Sequence, residues 1–177
     1  LSVCSLGVDD IKLAGIEDHP LFQKFDIVFD NFNSATSYSG PAVIRLSRAS
    51  CGQADHNSLY GPVNTECQLF NQLEKLGYSK ELLMNHDGVF DAFLEKTQLY
   101  SGISSSPFPL AGIEATQKDF TGAPIYSDAG ILKAWWQERR NSGASKVAIE
   151  FSMSRYHLGC QAISAGLKNC LMNLPPF

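Results

Sequence analysis

The spacing of apolar residues changes period several times along the chain, and each change marks an element. Phe25, Ile27 and Phe29 alternate on one face of a β-rich run that ends at Phe32, which predicts a strand over residues 25–32. From Pro41 onward Val43, Ile44 and Leu46 fall at helical spacing. Ser39-Gly40-Pro41 ahead of them predicts a helix with Ser39 at its N-cap. Leu69, Phe70, Leu73 and Leu76 repeat the helical period over residues 67–76, and Gly77 supplies a stop in the C′ position. The short apolar strand Leu82-Leu83-Met84 then runs into the polar Asn85-His86-Asp87-Gly88, after which residues 90–97 resume helical spacing through Phe93 and Leu94.

Residues 101–109, with consecutive serines and two prolines, read as loop, and so do residues 120–126. Ser127 or Asp128 then caps a helix carrying Ile131, Leu132, Trp135 and Trp136 that ends near Asn141-Ser142-Gly143, and residues 146–151 form the next strand. Short strands alternating with helices predict an α/β domain with a mostly parallel sheet flanked by helices. A chain of 177 residues suits one such domain. The boundaries expected are 1–151 for the domain and 152–177 for a divergent tail without clean periodicity, which a shifted reading frame would explain.

Charge narrows the partners. Fourteen Lys and Arg face 18 Asp and Glu, net −4, with no basic run, so nucleic acid is excluded as a partner. No window of about 18 apolar residues occurs, and no targeting segment is present. Leu1-Ser2-Val3 reads as the tail of a strand whose beginning is absent, so the expectation is an excised piece of a longer protein.

Five cysteines, at 4, 51, 67, 160 and 170, leave at least one unpaired within a monomer. Cys51 and Cys67 flank a polar loop containing Tyr60-Gly61-Pro62, and a disulfide there would staple the end of the Ser39 helix to the start of the next. Such a bridge suits an oxidising compartment.

Two segments carry candidate chemistry. Val3-Cys4-Ser5-Leu6-Gly7-Val8-Asp9-Asp10 is an apolar stub ending in a thiol and two carboxylates, the pattern of a buried strand that delivers a soft metal ligand to the rim of a sheet. Asp9 and Asp10 read as a solvated turn after that strand. Residues 31–53, NFNSATSYSGPAVIRLSRASCGQ, deliver the hydroxyl of Ser39 to a helix start, where free N–H groups and the dipole favour an alkoxide and an incoming phosphate. Elsewhere His86 reads as a hydrogen-bonded loop histidine at a strand end. His19, ahead of Pro20, orders a turn, and His56 is a loop residue. Of Trp135 and Trp136, one ring belongs on the core face of its helix.

These two segments resemble the periplasmic domain of the bacterial cellulose phosphoethanolamine transferases, in the alkaline phosphatase and sulfatase superfamily, over residues 1–147. The resemblance implies a partial alkaline-phosphatase-like layered domain. It also implies a zinc ion held by Cys4 and Ser39, Ser39 as nucleophile, and Tyr38 beside it lining the pocket. It further implies a phosphatidylethanolamine donor, a cellulose acceptor, a cellulose synthase complex as partner, and a place on the periplasmic side of the inner membrane behind transmembrane helices. A glutamate and histidine in a Glu-His-Gly-Gly segment complete the family's zinc site. That segment is absent here, as is the histidine of Leu-His-Asp-Gly-Asn, with His157 in unrelated context. The isolated chain is therefore expected to be inactive. The alternatives are a sulfatase- or phosphodiesterase-like hydrolase using the same hydroxyl, or a non-catalytic carbohydrate-interaction piece.

Overall fold

The computed structural model describes residues 8–29, 32, 36–48, 51, 54–143 and 146–152. Their regular elements are α1 (Val8–Ala14), α2 (Ser39–Ser47), α3 (Leu69–Lys75), β1 (Ser79–Met84), α4 (Phe93–Ser101), β2 (Ala115–Lys118), β3 (Pro124–Tyr126), α5 (Asp128–Ser142) and β4 (Val147–Ser152), joined by single 3-10 turns.

β1 sits at the centre. Leu82, Leu83 and Met84 are 1%, 0% and 1% exposed, and because successive strand side chains face opposite ways, three buried in a row require cover on both faces. Leu82 and Met84 pack with Phe70, Ile103 and Ala148, and Leu73 of α3 and Phe93 and Leu94 of α4 close that layer. Leu83 packs with Ile131 and Trp135 of α5 on the opposite side. β4 pairs with β1 in parallel from Ser79↔Val147 to Met84↔Ser152. Along the other edge of β1 the Phe108 N–H donates to the Leu82 carbonyl at 2.8 Å, beside a parallel bridge to Pro107. The result is the α/β arrangement expected from the sequence, a parallel sheet flanked by helices.

Local chemistry sets the boundaries of the flanking helices. α3 ends in a Schellman turn: Gly77 (φ +85°) donates its N–H to the Glu74 carbonyl at 2.9 Å, and Tyr78 donates to Leu73 at 3.1 Å. α5 starts at Ser127, whose Oγ accepts the Gly130 N–H at 3.1 Å. α5 is also tied to β1 through polar groups, since Trp135 Nε1–H donates to Glu81 Oε2 at 2.6 Å and Arg139 pairs with Glu81 Oε1 at 3.0 Å.

Several expected elements differ. Residues 25–29 form no strand: no ladder partner lies against them among the described residues, and Phe25, Ile27, Val28 and Phe29 are 50–71% exposed. Alternating apolar residues specify a strand only where a neighbour supplies hydrogen bonds and a face to bury. Residues 120–126 are not all loop, because Pro124–Tyr126 forms β3, antiparallel to β2. The hairpin is closed by the backbone, where Asp119 N–H donates to the Ala123 carbonyl at 2.8 Å, and by the Asp119 side chain, whose Oδ1 accepts the Thr121 and Ala123 N–H groups at 2.8 and 2.9 Å. Asp9 and Asp10 are helical, in the first turn of α1, where carboxylates suit the positive end of the dipole. The strand stub expected to end in Cys4 and residues 153–177 of the tail lie outside the described residues.

Glu150 of β4 stands opposite Leu82 and shares a strand face with Ala148. Burial raises its carboxyl pKa from 4.5 to about 7. A folded-state pKa raised in this way stabilises the fold fully below about pH 4.5, and that contribution is lost as pH rises through about 7. Urea unfolding across this range is expected to show the loss in the wild type and a flatter profile in Glu150→Gln. Identical slopes in the two proteins would contradict the assignment.

Candidate functional site

α2 carries Ser39 and is held from its far end. Pro41, Val43, Ile44 and Ser47 are its buried face, while Leu46, counted with them by spacing, is 52% exposed. At the C-terminal end the Arg48 Nε donates to the Tyr100 carbonyl at 3.0 Å and its Nη1 to the Leu59 carbonyl at 3.0 Å, with the guanidinium 5.1 Å from the centroid of the Tyr100 ring. Tyr100 in turn donates its O–H to the Tyr60 carbonyl at 3.0 Å. A disulfide joins Cys51, just beyond α2, to the buried Cys67, with their Cα atoms 5.3 Å apart. These contacts fix α2 against α4 and the residues around 57–60.

The other end of α2 faces outward. Ser39 is not the cap but the first helical residue; Tyr38, extended at φ −116° and ψ 142°, occupies the cap position and offers no side-chain cap bond. The shift by one residue follows from the backbone, since the Tyr38 carbonyl already accepts the Ala42 N–H at 3.0 Å. Ser39 is exposed and Tyr38 is 74% exposed. The N–H groups of Ser39 and Gly40 have no acceptor within the helix, and Pro41 has no N–H to satisfy. The hydroxyl therefore stands in the first turn of the helix, at the positive end of its dipole.

Cys4, the other expected zinc ligand, lies outside the described residues. Among the described residues no group of three or more His, Cys, Asp and Glu side chains is placed to hold a metal. No helix among them is long and apolar enough to cross a membrane.

A second cluster forms where β1 ends. His86 is partly buried, accepts the Gly88 N–H on Nδ1 at 3.1 Å and lies 5.5 Å from the Phe93 ring. Burial lowers its pKa below the ordinary histidine value, against the opposing pull of Asp87 and Asp119. Asn85, buried at the strand end, donates from Nδ2 to Asp128 Oδ1 at 2.8 Å, and its carbonyl accepts the Tyr126 N–H at 2.8 Å. This tie between β1, β3 and α5 was not visible in the sequence, because its partners are far apart along the chain. The remaining candidates are local: His19 Nδ1 accepts the Leu21 N–H at 3.2 Å, His56 packs edge-on against Tyr60, and Trp135 is buried while Trp136 is 40% exposed.

Residues 1–173 match the family model described as Cellulose biosynthesis protein BcsG C-terminal domain. The chain belongs to this BcsG family. It is 42% identical over 159 residues to the Cellulose biosynthesis protein BcsG of Escherichia coli (strain K12), and equally to that of Salmonella typhimurium (strain LT2). The alignment takes in 90% of this chain and 28% of each relative, so the chain spans little more than a quarter of the curated BcsG proteins it matches. The BcsG match also runs into residues 152–173, the stretch that the sequence pattern sets apart.

Within this chain the disulfide closes a sequence separation of 16 residues. A loop of that size contributes about 3 kcal/mol by chain entropy. Reduction, or Cys51→Ser with Cys67→Ser, is expected to lower the urea midpoint accordingly. An unchanged midpoint would mean that Arg48 and side-chain packing hold α2 without the bridge.

Proposed function

We propose that this chain carries the nucleophile of a zinc-dependent transferase that moves phosphoethanolamine from phosphatidylethanolamine to cellulose through a serine-linked intermediate. The observation that supports the reading is Ser39, exposed at the first position of a helix that is pinned from its opposite end. Membership of a family of cellulose biosynthesis proteins supports the acceptor.

In this reading the Ser39 Oγ attacks the phosphorus of the donor headgroup, forming an Oγ–P bond as the bond to diacylglycerol breaks. The N–H groups of Ser39 and Gly40, with the dipole behind them, stabilise negative charge that develops on the phosphoryl oxygens. Tyr38 lines the donor pocket beside the nucleophile. A primary hydroxyl of cellulose, at C6, then takes the group and frees Ser39.

Cys4 and Ser39 would hold the zinc. A thiolate and a serine oxygen are donors that zinc accepts, and they make up half of a four-donor set. In this reading the other donors are the glutamate and histidine of the family's Glu-His-Gly-Gly segment. Bound zinc would supply a lowered hydroxyl pKa, as it does for water, from about 15.7 to about 7. On this account the 177 residues alone are inactive. The full-length protein works on the periplasmic side of the inner membrane beside the cellulose synthase complex, a compartment in which the Cys51–Cys67 bridge persists.

The test is made in the full-length protein that contains this sequence. Incubated with phosphatidylethanolamine vesicles and zinc, it is expected to yield a phosphoethanolamine adduct on the peptide holding Ser39. Ser39→Ala is expected to remove the adduct and reduce transfer by at least about a thousandfold. An adduct on another residue, or transfer that survives the substitution, would overturn the reading.

A further inference from the structure

The carboxyl-terminal end of β1 carries a feature that the Ser39 chemistry does not use. The chain leaves β1 through Gly88 (φ +71°), where an added Cβ would lie 2.6 Å from Met84 Cε and 2.7 Å from Leu94 Cβ. Just beyond it Asp91 (φ 54°) and Ala92 (φ 50°) are both left-handed although neither is glycine. Consecutive strained positions of this kind persist only where the surrounding structure enforces them. What this turn holds outward is Val89 and Phe90, 74% and 58% exposed.

A separate segment meets it. The tip of the β2–β3 hairpin brings Phe120, itself 62% exposed, edge-to-face against Phe90 with ring centroids 5.1 Å apart. The tip is fixed in its own right by Asp119, which accepts the Thr121 hydroxyl at 2.7 Å as well as two backbone N–H groups. Exposed phenylalanines are ordinarily scattered singly. Here two rings on two fixed turns meet at the carboxyl end of a parallel strand, the position at which open α/β sheets bind ligands.

The surrounding charge narrows the ligand. Asp87, Asp91 and Asp119 flank the rings along the chain against Lys118 and Lys96, the latter engaged by Asp91 at 2.7 Å, so the net charge is negative and anionic headgroups and phosphates are disfavoured there. A neutral pyranose chain suits the site: the C–H face of each sugar ring is apolar and packs on an aromatic ring, while its hydroxyl edge donates to carboxylates. We propose that Phe90 and Phe120 form a docking surface for a β-linked glucan. The surface holds the acceptor polymer, and that part of the inference rests on the transferase reading given above.

The test titrates the 177-residue chain with cellohexaose, following backbone amides by NMR, with maltohexaose and phosphatidylethanolamine vesicles as parallel arms. Cellohexaose is expected to shift the amides of residues 86–92 and 118–122. Phe90→Ser and Phe120→Ser are each expected to weaken binding by about three- to tenfold, and Phe90→Tyr, which keeps a ring, to retain it. Ser39→Ala is expected to bind normally, so a failed transferase reading leaves this result intact and a failed docking surface leaves the Ser39 adduct intact. Absence of cellohexaose binding by the folded chain overturns the proposal. So do undiminished binding in the double serine variant, equal binding of maltohexaose, and capture by vesicles in place of the oligosaccharide.

Discussion

The rest of the structure depends on the burial of Leu82, Leu83 and Met84 on a single strand. Three fully buried residues in succession oblige the chain to cover both faces of β1, and the two covers come from different parts of the chain, α3 and α4 on one face and α5 on the other. The parallel pairing with β4 then follows, because a second strand reached through a helical crossover lies beside the first and points the same way. Everything of chemical interest at the strand end, His86, Asn85 and the turn carrying Phe90, inherits its position from that one apolar run.

The helix bearing Ser39 is positioned by a different device. α2 contributes little to the two clusters around β1; it buries Pro41, Val43 and Ile44 against its own neighbours, and its C-terminal end is held by polar and covalent ties through Arg48 and the Cys51–Cys67 bridge. A helix held along its buried face and at that end can leave Ser39 uncovered without becoming loose, since helical hydrogen bonds carry the constraint along its length. This gives the proposed nucleophile an orientation set from behind and an approach left open in front.

What could be read from the sequence is what local chemistry decides. β1, β4, the Gly77 stop and the Ser127 cap are legible because spacing, turn residues and tertiary packing agree at each of them. The run at residues 25–29 misleads because a strand needs a partner that its own sequence does not encode. The β2–β3 hairpin is hidden because Pro124 and Gly122 look like loop, whereas backbone bonds across the turn and the Asp119 carboxylate together close it. At the candidate site the Ser39 helix is legible from Ser39-Gly40-Pro41, displaced by one residue. The Asn85–Asp128 bond and the Phe90–Phe120 pair join distant residues and leave no local signature.

The central claim is that these residues build a frame about β1, with α2 held along its buried face and at its C-terminal end and Ser39 left exposed. Native-state hydrogen exchange tests it most directly. The amides of Leu82, Leu83 and Met84 are expected to exchange most slowly, with those of the second half of α2 well protected and Ser39 and Gly40 exchanging fast. Exchange of the β1 amides at the rate of an unstructured peptide, or slow exchange at Ser39 with fast exchange at Ile44 and Ser47, would contradict it.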